Sequence, residues 1–448
     1  MIKMNVPKDA LLILSRLEDR GFEAYVVGGC VRDVCMGRQP HDWDITTNAS
    51  PQESKEAMKG FPVIETGMKH GTITVMMHKV GYEVTTYRVD GNYSDGRHPD
   101  QVVFVSDLRE DLRRRDFTMN AMAYNPKKGV VDLFDGQGDI QREEIRCVGV
   151  ARERFTEDVL RILRALRFAS VFGFSIEEET SRAVHELAGS LPKVSMERIT
   201  TEFRKMVVGE GFVPIAGSYV DVLGQVVPEL LSLVGFDHKS PFHHLDVWEH
   251  TLLVCKEAKR LGADELTMVA ALFHDIGKPA ACTEEGNVRH FKKHTSVGAE
   301  MTDEILRRMK FDNHSRETIV QLVRHHDDLL LPSKKNMRRL LSLLGEEQLR
   351  RLLLLAEADL LAHAPGMIPR AQENHDLCEA YLEEILSSEG RITLKELALS
   401  GKDLQRMGVP EGKTFGIYLN RLLNLVLDGE IENEAQILEA KVKEWLTS

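Results

Sequence analysis

The stretch AYVVGGCVRDVCMGRQPHDWDITT (residues 24–47) decides the reading of the chain. AYVV is a short apolar strand that runs into Gly28 and Gly29, and a helix follows through Val31 to Met36. Asp42 and Asp44 then flank Trp43 in extended surroundings. In a strand the side-chain period is two, so both carboxylates emerge on one face. Like charges side by side are unfavourable unless a cation lies between them, and hard oxygen ligands suit Mg²⁺. An Asp-rich turn leading into a strand accounts equally well for D-x-D alone, so the rest of the chain has to decide. The glycine pair lets backbone N–H groups approach a phosphate, and Arg32 lies ten residues before Asp42, within reach of phosphates held by the same ion. Together these form a triphosphate site: Gly28, Gly29 and Arg32 on the phosphates, Asp42 and Asp44 on the metal.

Working outward, SPQE (50–53) is a capping box with Pro51 at the first helical position. TITVMMH (72–78) and YEVTTYR (82–88) alternate as hairpin strands about a glycine turn, with Glu83 as a third carboxylate or simply a solvated strand residue. VDGNYSDGRHPDQ (89–101), which includes Arg97, is turn-rich and reads as a mobile loop. DLRE (107–110) caps a helix ending at Arg113–Arg115, and Arg115, Asp116 and Asn120 offer groups for phosphate and ribose. In TEDVLRILRALRFA (156–169), Val159, Ile162, Leu163 and Leu166 form a core stripe. Asp158, Arg161, Arg164 and Arg167 fill the opposite arc. Asp158 and Arg161, one turn apart, can address the edge of a base, although a solvated i,i+3 ion pair has the same spacing.

From about residue 150 the pattern is helical to the end, with seams near Gly149, Asp237–Pro241 and Leu331–Ser333. The 448 residues exceed one core, no apolar run approaches a membrane span, and the start does not read as a secretion signal. The six cysteines lack metal-type spacing, which favours a reducing cytoplasm. A net charge of −12 does not advertise a nucleic-acid binder, so any such surface must be a local basic patch.

The second half carries spaced histidines. HHLDVWEHTLLV (243–254) has a capping box at Asp246–Glu249 just before His250. AALFHDIGKPA (270–280) ends a helix at His274–Asp275. His294 follows in HFKKHTSVGAE, and VRHHDD supplies His325, His326, Asp327 and Asp328. Mixed imidazole and carboxylate groups suit a divalent transition metal or Mg²⁺. Lys402 and Lys413, each beside a glycine, read either as RNA phosphate contacts or as ordinary charged turns.

Five motifs in order, VVGGCVRD…HDWDITT, EVTTYR, RRDFTMNAMAY, DLFDGQGDI and RFTEDVLRILRALRFA, resemble the class II tRNA nucleotidyltransferases and bacterial poly(A) polymerases. The resemblance implies an α+β chain with a mixed five-stranded sheet in its head. Residues 1–149 are then the nucleotidyltransferase head, 150–236 a helical neck for base and RNA, 237–332 an HD phosphohydrolase-like domain and 333–448 a helical, tRNA-binding tail. It implies that Asp42 and Asp44, with Glu83 near them, are catalytic around Mg²⁺. Gly28, Gly29, Arg32, Arg115, Asp116 and Asn120 serve the nucleotide, while Asp158 and Arg161 read C or A with Arg164 and Arg167 beside them. Asp132 to Asp135 fall at the hinge of head and neck. The histidine motifs resemble the HD phosphohydrolases, which implies His250, His274, Asp275 and Asp327 as ligands and His294 and His325 as further contacts. The activity implied is template-free addition of C, C and A to tRNA from CTP and ATP. A poly(A) polymerase, or an enzyme adding only A or only CC, is the alternative, and a catalytically dead RNA-binding regulator is a third reading.

Overall fold

The computed structural model describes residues 4–90, 102–239, 244–286, 288–329, 332–366, 368–388 and 390–447. Arg97 and residues 91–101 of its loop, Pro241 and Leu331 lie outside these residues, while Val89 and Asp90, read as part of that loop, are in a strand. Two compact units are present, Met1–Pro228 and Glu229–Ser448.

The strands of the first unit are β1 (Ala24–Val27), β2 (Ile45–Thr47), β3 (Val63–Ile64), β4 (Thr72–Met77), β5 (Val80–Thr86), β6 (Arg88–Asp90), β7 (Val102–Phe104), β8 (Met122–Asn125) and β9 (Gly129–Asp132). Seven of them form one sheet in the order β3-β4-β5-β2-β1-β8-β9, while β6 and β7 form a separate ribbon. The sheet is mixed, β2 and β5 being its parallel pair. The expected five strands become seven because short strands pair at both edges, β3 on β4 and β9 on β8. Two- and four-residue edge strands leave little periodic signal in sequence. The β4–β5 hairpin forms, but its turn is His78–Lys79, both left-handed (φ 49° and 69°), and Gly81 lies inside β5. Two consecutive positive φ values match the right-handed twist of the flanking strands. Ile13, Leu14 and Leu17 of the helix Lys8–Glu18 pack with Val26, Ile45, Ile73 and Val84 in the core beneath the sheet.

The capping box at Ser50–Glu53 closes in both directions, starting the helix Pro51–Ala57. The helix read across residues 156–169 is in fact two, Ala151–Glu157 and Leu160–Phe172, with Asp158 extended between them (φ −136°, ψ 103°). Asp158 breaks the run because its carboxylate accepts from the Leu160 N–H at 3.1 Å, the start-of-helix geometry that aspartate favours over a helix interior. Leu160 is therefore buried in place of Val159, which is half-buried.

Among its described residues the second unit is helical apart from a small hairpin, Thr283–Glu285 with Val288–His290, inside the region expected to be all helix. Its capping box at Asp246–Glu249 closes as expected and begins the helix Val247–Arg260, which carries His250. No helix among the described residues is long and apolar enough to cross a membrane. All six cysteines are free, and Cys30, Cys147, Cys255 and Cys378 are buried.

Candidate functional sites

In the first unit, β2 starts at Ile45, so Asp42 and Asp44 lie in the extended lead-in rather than in the strand itself. Asp44 still joins the sheet, its carbonyl accepting from Val27 N–H at 2.9 Å. The parallel register pairs Ile45 with Val84, which brings Asp44 level with Glu83 one residue back. The Asp44 side chain is open to solvent, yet the surrounding protein and the carboxylates of Asp42 and Glu83 push its pKa up to about 6. Arg115 pulls it the other way. Asp42 and Glu83, close enough to disfavour the charge on Asp44, form with it a donor set that a hard divalent ion would relieve.

Gly28 turns the chain from β1 into the helix Gly29–Cys35 with φ 81°, and a Cβ there would lie 2.8 Å from Arg115 Nη1. The glycine is what lets Arg115 lie against this turn. Arg32 donates from Nε and Nη2 to Asp33 Oδ1 (2.9 and 2.7 Å) and from Nη1 to Asn120 Oδ1 (2.7 Å). Its guanidinium also faces the rings of Phe172 and Phe168 at 5.0 and 5.2 Å.

Asn120 passes the contact on, donating from Nδ2 to Asp116 Oδ1 at 3.0 Å. Asp116 Oδ2 accepts from Arg164 Nε and Nη2 at 2.9 and 2.6 Å. Burial pushes the Asp116 carboxyl up, but Arg164 and Asn120 outweigh it and hold it well below the usual carboxylate range. Glu202, from the helix Met196–Val207, completes the series by accepting from Arg167 Nε at 2.7 Å, with Arg164 Nη1 3.9 Å away. Because Asp116 is buried and Arg164 about one-third exposed, we expect Asp116→Ala to lower the unfolding free energy by about 2–3 kcal/mol. Chemical denaturation is the check, and a loss under 1 kcal/mol would mean that water replaces the carboxylate.

The pair expected to read the base is not a pair. Asp158 Oδ2 accepts from Arg198 Nη2 at 2.9 Å. Arg161 is buried and donates to Glu157 Oε2 (2.7 Å) and to the carbonyls of Arg154 and Arg114 (both 3.1 Å). The break at Asp158 explains the change, since i,i+3 neighbours meet only on one continuous helix. Arg198 and Glu202 were not found from sequence, for their partners lie some 40 and 35 residues away in the chain.

The second unit gathers the histidines. His250 Nε2 lies 2.9 Å from Asp359 Oδ1 and 3.6 Å from Asp275 Oδ2. His274 Nε2 lies 3.2 Å from Asp275 Oδ2 and 3.7 Å from Asp359 Oδ1. A first-row divalent ion with ligands about 2.1 Å away holds them roughly 3.0–3.4 Å from one another, so these four groups fit one ion. His274 Nε2 and Asp275 Oδ1 are buried with no hydrogen-bond partner, as open ligand atoms would be. His274, His294 and His326 each hold Nδ1 against a backbone carbonyl three residues upstream (Ala271, Phe291 and Val323, 2.7–2.9 Å), which leaves Nε2 to face the cluster. Lys278 Nζ sits 2.6 Å from Asp275 Oδ2 and 3.2 Å from His238 Nε2. Burial pushes the Asp275 carboxyl up, but His274 and Lys278 outweigh it and keep it well below its ordinary value.

Asp359, on the helix Glu346–Leu361, thus occupies the place beside His250 and His274 that the sequence reading gave to Asp327. Asp327 instead lies 3.4 Å from His294 Nε2 and 3.5 Å from His326 Nε2. His325, expected as a further contact, turns to Asp328 (2.7 Å), and its neighbour His326 faces Asp275. His325 ends the helix Asn313–His325 and the next residue starts a tighter turn, which reverses the expected order. The spacing of Asp359 and His363, one turn apart in AEADLLAH, was the signal available for the missed aspartate.

A carboxylate-bearing mixed sheet followed by helices, with a buried His–Asp cluster beyond, defines a nucleotidyltransferase joined to an HD domain. Three family models match: the poly A polymerase head domain over residues 24–146, the "Probable RNA and SrmB- binding site of polymerase A" over 173–215, and the HD domain over 245–364. The CCA-adding enzyme of Lactobacillus delbrueckii subsp. bulgaricus is 34% identical over 440 residues, 98% of this chain and 96% of the relative. That of Leuconostoc mesenteroides is 50% identical over 201 residues, 45% of this chain and 50% of the relative. The crystal structure of the Bacillus stearothermophilus CCA-adding enzyme in complex with CTP is similar at a TM-score of 0.66 and 28% identity, covering 99% of this chain and 98% of that one. The Thermotoga maritima CCA-adding enzyme complexed with tRNA shares the fold at a TM-score of 0.60 and 21% identity, covering 98% of this chain and 96% of that one. The chain belongs to the CCA-adding enzyme family and is a tRNA nucleotidyltransferase.

Proposed function

We propose that this chain builds the CCA end of tRNA with the head residues named above, adding C, C and A from CTP and ATP without a nucleic-acid template. The observation that carries the site assignment is the convergence of Asp42, Asp44 and Glu83, where desolvation and then the two neighbouring carboxylates raise the Asp44 carboxyl. Asp42 and Asp44 hold Mg²⁺, which when bound activates the 3′-hydroxyl and neutralises charge on the leaving pyrophosphate. The 3′-oxygen of tRNA attacks the α-phosphorus, its proton leaves to a carboxylate or to solvent, and the bond to pyrophosphate breaks. Gly28, Gly29 and Arg32 line the triphosphate, and Arg115 lies against Gly28 and lowers the charge cost at Asp44. Asp116 and Asn120 act on ribose and phosphate largely through Arg32 and Arg164, which they orient. Asp158, held by Arg198, with Arg164 and Arg167 forms the polar wall that reads the base, while Arg161, committed to Glu157 and two backbone carbonyls, supports it.

Residues 1–149 are the head, 150–236 the neck, 237–364 the HD region, which includes Asp359, and 365–448 the tail. The free cysteines and tRNA as substrate support a cytoplasmic enzyme. The test is to offer purified protein tRNAs lacking the last one, two or three nucleotides, with CTP and ATP separately and together, and to resolve products by length. Sequential addition of C, C and A is expected. Growth by A alone on any RNA points to a poly(A) polymerase, and arrest after CC or addition of only the last A points to a partial enzyme.

Base choice has its own check. Asp158→Ala leaves Arg198 without its partner and removes an acceptor from the wall, where a mismatched polar edge costs about 1–3 kcal/mol. We expect incorporation of UTP and GTP to rise by about 10-fold or more relative to CTP and ATP, with a smaller change in triphosphate affinity. Unchanged selectivity would return Asp158 to a purely structural ion pair.

The HD cluster supports a second activity, metal-dependent hydrolysis of phosphate esters such as 2′,3′-cyclic ends and terminal phosphates on RNA, with a transition metal or Mg²⁺. The observation favouring it is the buried His250–His274–Asp275–Asp359 set with its ligand nitrogens turned inward.

A further inference from the structure

We propose that Phe168 is a positioning residue that couples base choice to the seating of the triphosphate, because its ring supports guanidinium groups from both ends of the nucleotide site. The inference rests on the reading of Arg32 as a phosphate contact and of Arg164 and Arg167 as part of the base wall. Phe168 lies on the helix Leu160–Phe172 and is buried, so packing fixes its ring. Phe117 meets it edge-on, at 5.7 Å between centroids and 82° between planes. Phe172, one turn on, stacks beside it at 5.7 Å and 16°. Arg167 Cζ lies 3.6 Å from the Phe168 centroid and Arg164 Cζ 5.4 Å. Arg32 reaches the same ring from the helix Gly29–Cys35, with its Cζ 5.2 Å away.

A guanidinium within about 6 Å of a ring centroid is drawn to the negative face of the ring, most strongly where water is excluded. Phe168 thus holds three cations whose hydrogen bonds go to three different acids, Arg32 to Asp33, Arg164 to Asp116 and Arg167 to Glu202. The carboxylates set the reach of each guanidinium, and the ring is common to all three. A wrong base that displaces Arg164 or Arg167 therefore disturbs the surface against which Arg32 rests, and the triphosphate is seated less well. Discrimination between bases is in this way felt at the phosphates as well as at the base.

The test uses the full chain with Phe168 replaced in turn by phenylalanines carrying one, two and three ring fluorines. Each fluorine withdraws charge from the ring face while nearly preserving its shape, so a role in packing alone leaves function unmoved. Two quantities are measured. One is incorporation of CTP relative to UTP on tRNA that lacks its CCA end. The other is inhibition by inorganic triphosphate, which probes the phosphate end without a base. Across the series, selectivity for C and affinity for triphosphate are each expected to fall stepwise, by about fivefold in all. Phe168→Leu, which removes the ring face, is expected to lose at least as much of both. Thermal melting identifies a misfolded leucine variant, and the fluorinated series then decides alone. A flat response in both quantities, or in either one, overturns the coupling. Wild-type protein that adds UTP as readily as CTP, or that inorganic triphosphate does not inhibit, instead overturns the reading of the site on which the coupling rests.

Discussion

Replacing Asp42 or Asp44 by alanine is expected to abolish addition of C and A together, by about 10³-fold or more in kcat, because a metal's charge supplies several kcal/mol at a phosphoryl centre. Binding of tRNA should change little, since the two carboxylates are proposed to act through the metal and the triphosphate rather than on the body of the tRNA. Loss of only one nucleotide's addition would contradict a shared metal site. The same geometry sets a pH dependence. Asp44 titrates near 6, so at lower pH it is neutral and the ion must displace a proton. Activity at limiting Mg²⁺ should therefore fall as pH drops through about 6, and saturating Mg²⁺ should move that midpoint to lower pH. A midpoint insensitive to Mg²⁺ would mean that another group titrates.

The second large effect separates the two units. His274→Ala or Asp275→Ala should remove metal-dependent hydrolysis of 2′,3′-cyclic nucleotides and terminal phosphates, a loss of about 10²-fold or more. Each should leave CCA addition within about twofold, for the head's groups all come from Met1–Pro228 and the cluster's from Glu229–Ser448. Asp42→Ala should do the reverse. Removing His274 also leaves Asp275 buried with one cation fewer, so the variants should be compared by thermal melting as well. Absence of hydrolysis with Mn²⁺, Ni²⁺ and Mg²⁺ in the parent protein would make the HD region a helical spacer with remnant ligands.

Sequence carried the head well because its signals are local. The glycine pair, the Ser50 capping box and the alternation of residues 72–88 each specify a short element by side-chain period or cap chemistry, whereas the D-x-D falls just ahead of its strand. The errors arise where local patterns compete with distant partners. A period of 3.6 residues runs straight through Asp158, yet the aspartate's preference for accepting a backbone N–H splits the helix and sends the side chain to Arg198. Asp327 stood next to two histidines and so looked like a ligand beside His250. Asp359, more than thirty residues later in a leucine-rich helix, had only tertiary structure to bring it there. Edge strands β3 and β9 escaped notice because they are too short to alternate.

The contacts from Asp33 through Arg32, Asn120, Asp116 and Arg164 to Glu202 and Arg167 alternate acid and base except at one amide. Deleting Glu202 sets the Arg164 and Arg167 guanidinium groups against each other, and deleting Arg164 strands the Asp116 carboxylate in a buried setting. A single substitution is thus poorly tolerated, whereas a second change at the neighbouring position can restore neutrality. Inheritance at these positions should run in linked pairs, so divergence between relatives would appear as exchanged partners rather than independent drift. Asn120 marks the point where the chain of charge is interrupted, and there the two halves are free to vary separately.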